Sequence, residues 1–257
     1  MIRCVVVDKG YSEKMRFFQV TILAALAGVL LSGCASMSAA EGPQAINDPF
    51  EPFNRVSFNA TLALDKAVLG PTALVYRRAL PAFLRDSLRN FLNNLDSPVI
   101  LANDVLQGKF QDGIDDFGRV LFNSTFGIAG IFDFASELGF QKHNEDFGQT
   151  LAVYGVGEGP YLFVPLLGPG NPRDVVGWVV DLAFDPVTYA QWREKFLWQA
   201  GRTTIDFVDL RARNIETLDE IEKTSLDYYA SVRSLYRQSR NNEIRNGATE
   251  VQDLPDF

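Results

Sequence analysis

AFLRDSLRNFLNNLDSPVILANDVLQGKF, residues 82–110, is the stretch from which the fold class follows. Phe83, Leu84, Leu88, Phe91, Leu92 and Leu95 recur at helical period and share one face, with Arg85, Asp86, Arg89 and Asn93 opposite. That spacing predicts an amphipathic helix. Ser97 followed by Pro98 predicts a new helix N-terminus, and Val99, Ile100, Leu101, Val105 and Leu106 carry that second helix to a stop at Gly108. A third helix over 110–126 presents Phe110, Ile114, Phe117, Leu121 and Phe126. Each helix owns an apolar stripe that needs cover. A soluble bundle supplies it from neighbouring helices, and a membrane interface supplies it from acyl chains.

Upstream of this block, FFQVTILAALAGVL (17–30) is apolar and uncharged, follows Lys14 and Arg16, and ends in LSGC (31–34). The run suits a secretory signal peptide and falls short of the ~20 residues of a spanning helix. Small residues before Cys34 resemble the bacterial lipobox, which implies cleavage at Cys34, a diacylglyceryl thioether on its sulfur and a third chain, such as palmitate, on its amine. Two or more acyl chains at ~0.8 kcal/mol per methylene make a lasting anchor. Ala35, in place of an aspartate, implies sorting to the outer membrane. Residues 1–33 are then a leader whose better start is Met15, and 34–47 is a small, polar tether reaching roughly 3.4 Å per residue.

The whole chain has 257 residues and a formal charge of −8. Cleavage before Cys34 leaves 224 residues with 20 basic and 30 acidic side chains, a net charge near −10. One domain, 48–240, is expected. The acidic balance argues against nucleic acid and against electrostatic adsorption to anionic headgroups. Cys4 and Cys34 lie in the leader and at the lipid site, so no disulfide is available and the fold must hold by packing. No mature stretch is apolar enough to span a bilayer; the longest charge-free runs are 120–132 and 159–172.

In NDPFEPFNRVSFNATLALDKAVLGP (47–71), Asp48 can cap a helix with Pro49 in its first turn, and Phe53, Val56, Phe58, Leu62 and Leu64 approximate helical spacing. FGIAGIFDFASELGF (126–140) combines phenylalanine and glycine with little charge, which suits a lipid-facing edge or a core. YGVGEGPYLFVPLLGPG (154–170) mixes Gly and Pro with bulky apolar residues, suiting neither a regular helix nor a central strand. It reads as an extended loop or irregular hairpin with an apolar tip. Residues 173–184 and 203–240 read as further helices, the latter as two or as one kinked helix, and 241–257 as a polar, acidic, disordered tail.

NDPFEPFNR, then AFLRDSLRNFLNNLDSPVILANDVLQGKF, GRVLFNSTFGIAGIFDFASELGF and HNEDFGQTLAVYGVGEGPYLFVPLLGPGNPRDVVGWVVD appear in the order of the signature blocks of one family. The chain resembles the MlaA (VacJ) lipoproteins of the outer membrane over about 48–181. The segment between Arg55 and Pro71 departs from the family pattern by a residue.

The resemblance implies a mainly all-α fold whose amphipathic helices lie ring-like in one membrane leaflet. It implies intermembrane phospholipid transport: misplaced phospholipids are removed from the outer leaflet through a polar channel, passed to a periplasmic carrier protein, and lipid asymmetry is maintained. A trimeric porin is an implied partner. Asn54, Arg55 and Asn59 are candidates for the channel or its support, although an i, i+4 ion pair of Arg55 with Glu51 explains that arginine equally well. Tyr154, Gly155, Gly157, Pro160, Tyr161 and Pro165 are candidates for a gating loop.

An enzyme is not expected. His143 with Glu145 and Asp146 lacks the spacing of a metal site and reads as a solvated, hydrogen-bonded loop. No G-x-S-x-G elbow, Walker loop or dinucleotide fingerprint is present, and Glu158 within GVGEG would repel phosphate. No cofactor is expected beyond the covalent lipid and the transported phospholipid. The alternative is a non-transporting structural or virulence-associated lipoprotein scaffold with a dry, closed core.

Overall fold

In the computed structural model, the described residues are 47–189 and 193–246. The expectations for the leader, Cys34, the tether up to residue 46 and the tail beyond 246 lie outside them.

The chain is mainly α-helical. Helix α1 (Glu51–Leu64) passes through one π-helical turn, Asp65–Leu69, into α2 (Gly70–Ala79). Pro71, which has no N–H to give, follows directly on the π turn, whose last bond runs from the Gly70 N–H to the Asp65 carbonyl. The long helix α3 (Ala82–Gln107) ends at Gly108, whose φ of 76° is the left-handed stop expected there. Then follow α4 (Phe110–Thr125), the single turn α5 (Phe134–Glu137) and α6 (Phe147–Val153). Strands β1 (Leu162–Val164) and β2 (Gly168–Gly170) form an antiparallel hairpin with Phe163 opposite Pro169. Its tip residues Leu166 and Leu167 are exposed, as the Gly/Pro pattern of this segment suggested. Helices α7 (Pro172–Phe184), α8 (Pro186–Tyr189), α9 (Lys195–Arg213), α10 (Ile215–Thr224) and α11 (Tyr228–Ile244) complete the described chain.

Four local expectations are corrected. Asp48 does not cap α1: its carboxylate is buried and held by Asn54, the Tyr229 hydroxyl and Arg233, so Phe50 takes the N-cap position and Pro52 the first turn. Pro98 does not begin a helix but lies inside α3. The Ser97 hydroxyl donates to the Asn93 carbonyl, and burial of Ser97 and Ile100 fixes the helical course on both sides of the proline. The segment 203–240 is three helices rather than two, because Asn214 and Ser225–Asp227 interrupt it, Asp227 capping α11 through the Ala230 N–H. Finally, α11 runs to Ile244, past the expected boundary at 240, where Arg240 also pairs with Glu243.

Among the described residues, buried apolar side chains gather in small clusters. Phe58, Tyr161, Phe163 and Tyr229 gather α1, the hairpin and α11, with Phe58 edge-on to three aromatic rings at 5.3–5.6 Å. Ala73, Ala212 and Ile215 join α2 to α9 and α10. Helices α6 and α7 meet at Gly148 and Gly177, where a Cβ on Gly177 would lie 2.3 Å from the Gly148 nitrogen. Only glycine fits there.

Candidate functional site

The polarity of this domain runs opposite to that of a soluble bundle. Among the described residues, the largest fully enclosed side chains are Gln149, Asn54, Asn103, Thr150, Asp104 and Asp116, all polar. Exposed apolar side chains are unremarkable one at a time, whereas buried polar groups and contiguous apolar faces carry information. Helix α4 shows both. Phe110, Ile114, Phe117 and Leu121, one stripe at helical period, are 68, 59, 57 and 46% exposed, while Asp116, Arg119 and Asn123 are buried on the opposite face. Along α1, Phe53, Val56 and Leu64 are likewise exposed, and so are Phe126, Ile128, Phe132 and Phe134 in the segment after α4. At the start of α3, Phe83 and Leu84 face outward although Leu92 is buried.

The inward polar faces of α3 and α4 enclose a cavity of about 360 Å³. Asn90, Asn93, Asn94 and Ser97 line it from α3, Asp116, Arg119 and Asn123 from α4, and Lys142, His143 and Asn144 from the segment before α6. Pro98 removes the helical donor for the Asn94 carbonyl, a loss tolerable beside a polar cavity. Against Asn94 and Asn123 lies a tight loop in which Ile128, Ala129 and Gly130 all take positive φ, with the Gly130 N–H donating to the Asn123 carbonyl at 2.7 Å. A left-handed, β-branched Ile128 is costly, and its neighbours over-determine it: a Cβ on Gly130 would strike Asn94 at 2.4 Å.

Fixed charges hold the walls. Arg119 donates to both oxygens of Asp133 at 2.9 Å, to Ser136 and to the Phe140 carbonyl. Burial pushes the Asp133 carboxyl up, but hydrogen bonds from Ser136, Arg119 and Asn123 outweigh it and leave its pKa at about 2. Behind the cavity wall, Asp104 lies buried against Asp116 and hydrogen-bonds to it, with no other donor to either Asp104 oxygen among the described residues. Burial and then the neighbouring Asp116 raise Asp104 to about 8. Asp116 is also raised by burial, with Asp104, His143 and Arg119 opposing.

The HNEDFGQT segment joins these walls to the remaining helices. Glu145 is buried and accepts from Gln107 at 2.7 Å and Lys109 at 2.8 Å, so this loop is hydrogen-bonded as expected, with Asn144 exposed and Glu145 itself withdrawn from solvent. Asp146 caps α6 through the Gln149 N–H and takes both Arg240 amines, at 2.6 and 2.7 Å; Arg240 also binds Asp174. Thr150 donates to Asn103, which donates to Asp181. His143 lies 3.6 Å from both Asp112 and Asp116, and among the described residues no group of His, Cys, Asp and Glu could hold a metal ion.

The residues singled out from sequence lie elsewhere. Asn54 is fully buried and its amide spans the backbone of the hairpin, donating to the Tyr161 carbonyl at 3.0 Å and accepting from the Phe163 N–H at 2.9 Å. Arg55 pairs with Glu51 at 2.8 Å and with Asp227, its guanidinium 4.5 Å from the Tyr229 ring centre. Asn59 is exposed. None of the three lines the 360 Å³ cavity. Of the candidate gating loop, Tyr161 is buried in the aromatic cluster, Tyr154 is exposed with its hydroxyl donating to the Leu106 carbonyl, Gly155 has φ 84°, and Gly157 and Pro165 are exposed. Pro160 is half-buried, and these loop residues too stand apart from the cavity lining. What sequence reasoning missed is the asparagine set of α3. Its signal was present in Asn90, Asn93, Asn94 and Ser97, a polar stripe at helical spacing.

The family model of the MlaA lipoprotein matches residues 46–243. The intermembrane phospholipid transport system lipoprotein MlaA of Shigella flexneri is 32% identical over 235 residues, covering 90% of this chain and 91% of its own. Its counterpart in Haemophilus influenzae is 32% identical over 249 residues, covering 92% and 96%. An uncharacterized protein of Rickettsia bellii is 31% identical over 205 residues, 79% of each chain. A solved structure described as the structural basis for maintenance of bacterial outer membrane lipid asymmetry superposes with a TM-score of 0.70 at 30% identity, covering 77% of this chain and 98% of that one. The chain belongs to the MlaA lipoprotein family.

Proposed function

We propose that this protein is an outer-membrane lipoprotein that removes misplaced phospholipids from the outer leaflet and passes them through a polar channel toward the periplasm, preserving lipid asymmetry. The observation that carries this reading is the reversal of polarity in α4, with a phenylalanine stripe outside and Asp116, Arg119 and Asn123 inside. An apolar exterior fixes the domain in the acyl region of one leaflet. The cavity then answers the chief energetic obstacle to moving a lipid, the desolvation of its headgroup. Its volume of about 360 Å³ holds roughly a dozen waters at ~30 Å³ each, room for a headgroup whose acyl chains remain in the surrounding lipid. Asparagine amides, Lys142 and Asp116 stand in for the water that the headgroup gives up. No covalent bond changes.

In this reading Cys34 carries the acyl anchor, the amphipathic helices lie ring-like in the periplasmic leaflet, a periplasmic carrier receives the lipid, and a trimeric porin seats the assembly. Asn54 and Arg55 act as support, since they fasten α1 to the hairpin and to α11. The hairpin and the preceding loop remain the proposed gate, their exposed Leu166 and Leu167 offering an apolar tip to lipid.

The test is the outer-leaflet phospholipid content of intact cells lacking the protein. It is expected to rise, to fall back with the wild-type chain, and to stay high with Asn93→Trp, which fills the cavity. Unchanged surface phospholipid in the deletion strain contradicts the reading.

A further inference from the structure

Most charges on the cavity wall are already spent. Arg119 is saturated by Asp133, Ser136 and the Phe140 carbonyl, and Asp96 is paired with Arg202. Two are not. Lys142 lines the cavity without a hydrogen bond or ion pair among the described residues. Asp116 lines it with no cationic group within hydrogen-bonding distance of its Oδ2, the His143 Nδ1 standing 3.6 Å away. The buried Asp104 carboxyl stands behind Asp116 and, protonated, donates a hydrogen bond to it. An exposed lysine and a buried acidic pair that shares one proton thus face a single headgroup-sized space. Partial desolvation and the nearby Arg119 lower the Lys142 pKa against the opposing pull of Asp133, and an arriving anion would favour its charged form.

We propose that this cavity selects phospholipids whose headgroup bears a primary ammonium, Lys142 taking the phosphodiester and Asp116, backed by Asp104, taking the ammonium. The inference rests on the transport reading above and adds headgroup selectivity to it. An anionic phosphoglycerol headgroup could satisfy Lys142 but would bring no cation to Asp116, leaving a desolvated carboxyl beside it. A charge-assisted contact present for one headgroup and absent for the other corresponds to roughly tenfold discrimination.

The full-length acylated protein, purified in detergent, is equilibrated with equimolar dioleoyl phosphatidylethanolamine and dioleoyl phosphatidylglycerol, and bound lipid is quantified by mass spectrometry. The wild type is expected to retain ethanolamine lipid in roughly tenfold excess. Asp116→Asn should bring the ratio near one while lipid remains bound, and Lys142→Gln should reduce both lipids. A ligand-side control needs no variant to fold: N-acetylated dioleoyl phosphatidylethanolamine, which keeps the phosphate and loses the ammonium, should compete no better than phosphatidylglycerol. A wild-type ratio near one, an unaltered ratio in Asp116→Asn, or full competition by the N-acetyl lipid overturns headgroup selection alone. Wild-type protein that binds neither lipid overturns the transport reading with it.

Discussion

Replacing Phe110 and Phe117 together by glutamine separates a lipid-facing stripe from a packed one. The two rings are 68 and 57% exposed. At ~200 Å² per aromatic side chain they offer about 250 Å² to acyl chains, or about 6 kcal/mol at 25 cal/mol per Å² if fully immersed. With half that area immersed, the loss is about 3 kcal/mol, near a hundredfold in membrane partitioning. Folding should hardly notice, because exposed substitutions away from special features usually stay within about 0.5 kcal/mol. Flotation with vesicles of phosphatidylethanolamine and phosphatidylglycerol, using a Cys34→Ser chain to remove the proposed anchor, measures partitioning, and chemical denaturation in mild detergent measures stability. If the double substitution cost the ~3 kcal/mol or more of a core truncation and left flotation unchanged, the stripe would be core and the inside-out account would fail.

Asn54→Ala should destabilise the domain by about 3 kcal/mol, because it orphans the buried Tyr161 carbonyl and Phe163 N–H, and denaturation should show it without any change in cavity-bound lipid. Arg240→Ala removes the counter-charge of the half-exposed Asp146 and the part-buried Asp174, which keep other donors, and should cost about 1–3 kcal/mol, measurable the same way. The Asp104 carboxyl binds its proton more tightly folded than unfolded, so its contribution to stability is greatest below the unfolded pKa of about 4 and is lost as pH rises toward about 8. Asp104→Asn should therefore melt higher than wild type at pH 8, with the gap closing near pH 4. A gap of the opposite sign would contradict the buried acidic pair.

The stripe of Phe110, Ile114, Phe117 and Leu121 was legible as a helix face, since period alone sets which residues share a side. Which side faces inward was not, because periodicity is blind to whether a stripe meets protein or lipid. The same blindness hid the site: Asn90, Asn93 and Asn94 look like a solvated helix face until a second polar face, that of α4, closes over them. Asn54 misled differently. Its partners Tyr161 and Phe163 lie more than a hundred residues away, and nothing local in NDPFEPFNR signals that its amide spans a strand. Pro98 shows local grammar overruled by burial on both sides of it.

The central claim is that a phospholipid rides with its headgroup in the α3–α4 cavity and its tails along the outer stripe. Photoreactive residues at Asn93, inside, and at Phe117, outside, test it directly in cells supplied with phospholipid tagged in either the headgroup or the acyl chain. The account predicts headgroup label captured from position 93 and acyl label from position 117. Headgroup label captured only from 117, with none from 93, would contradict it.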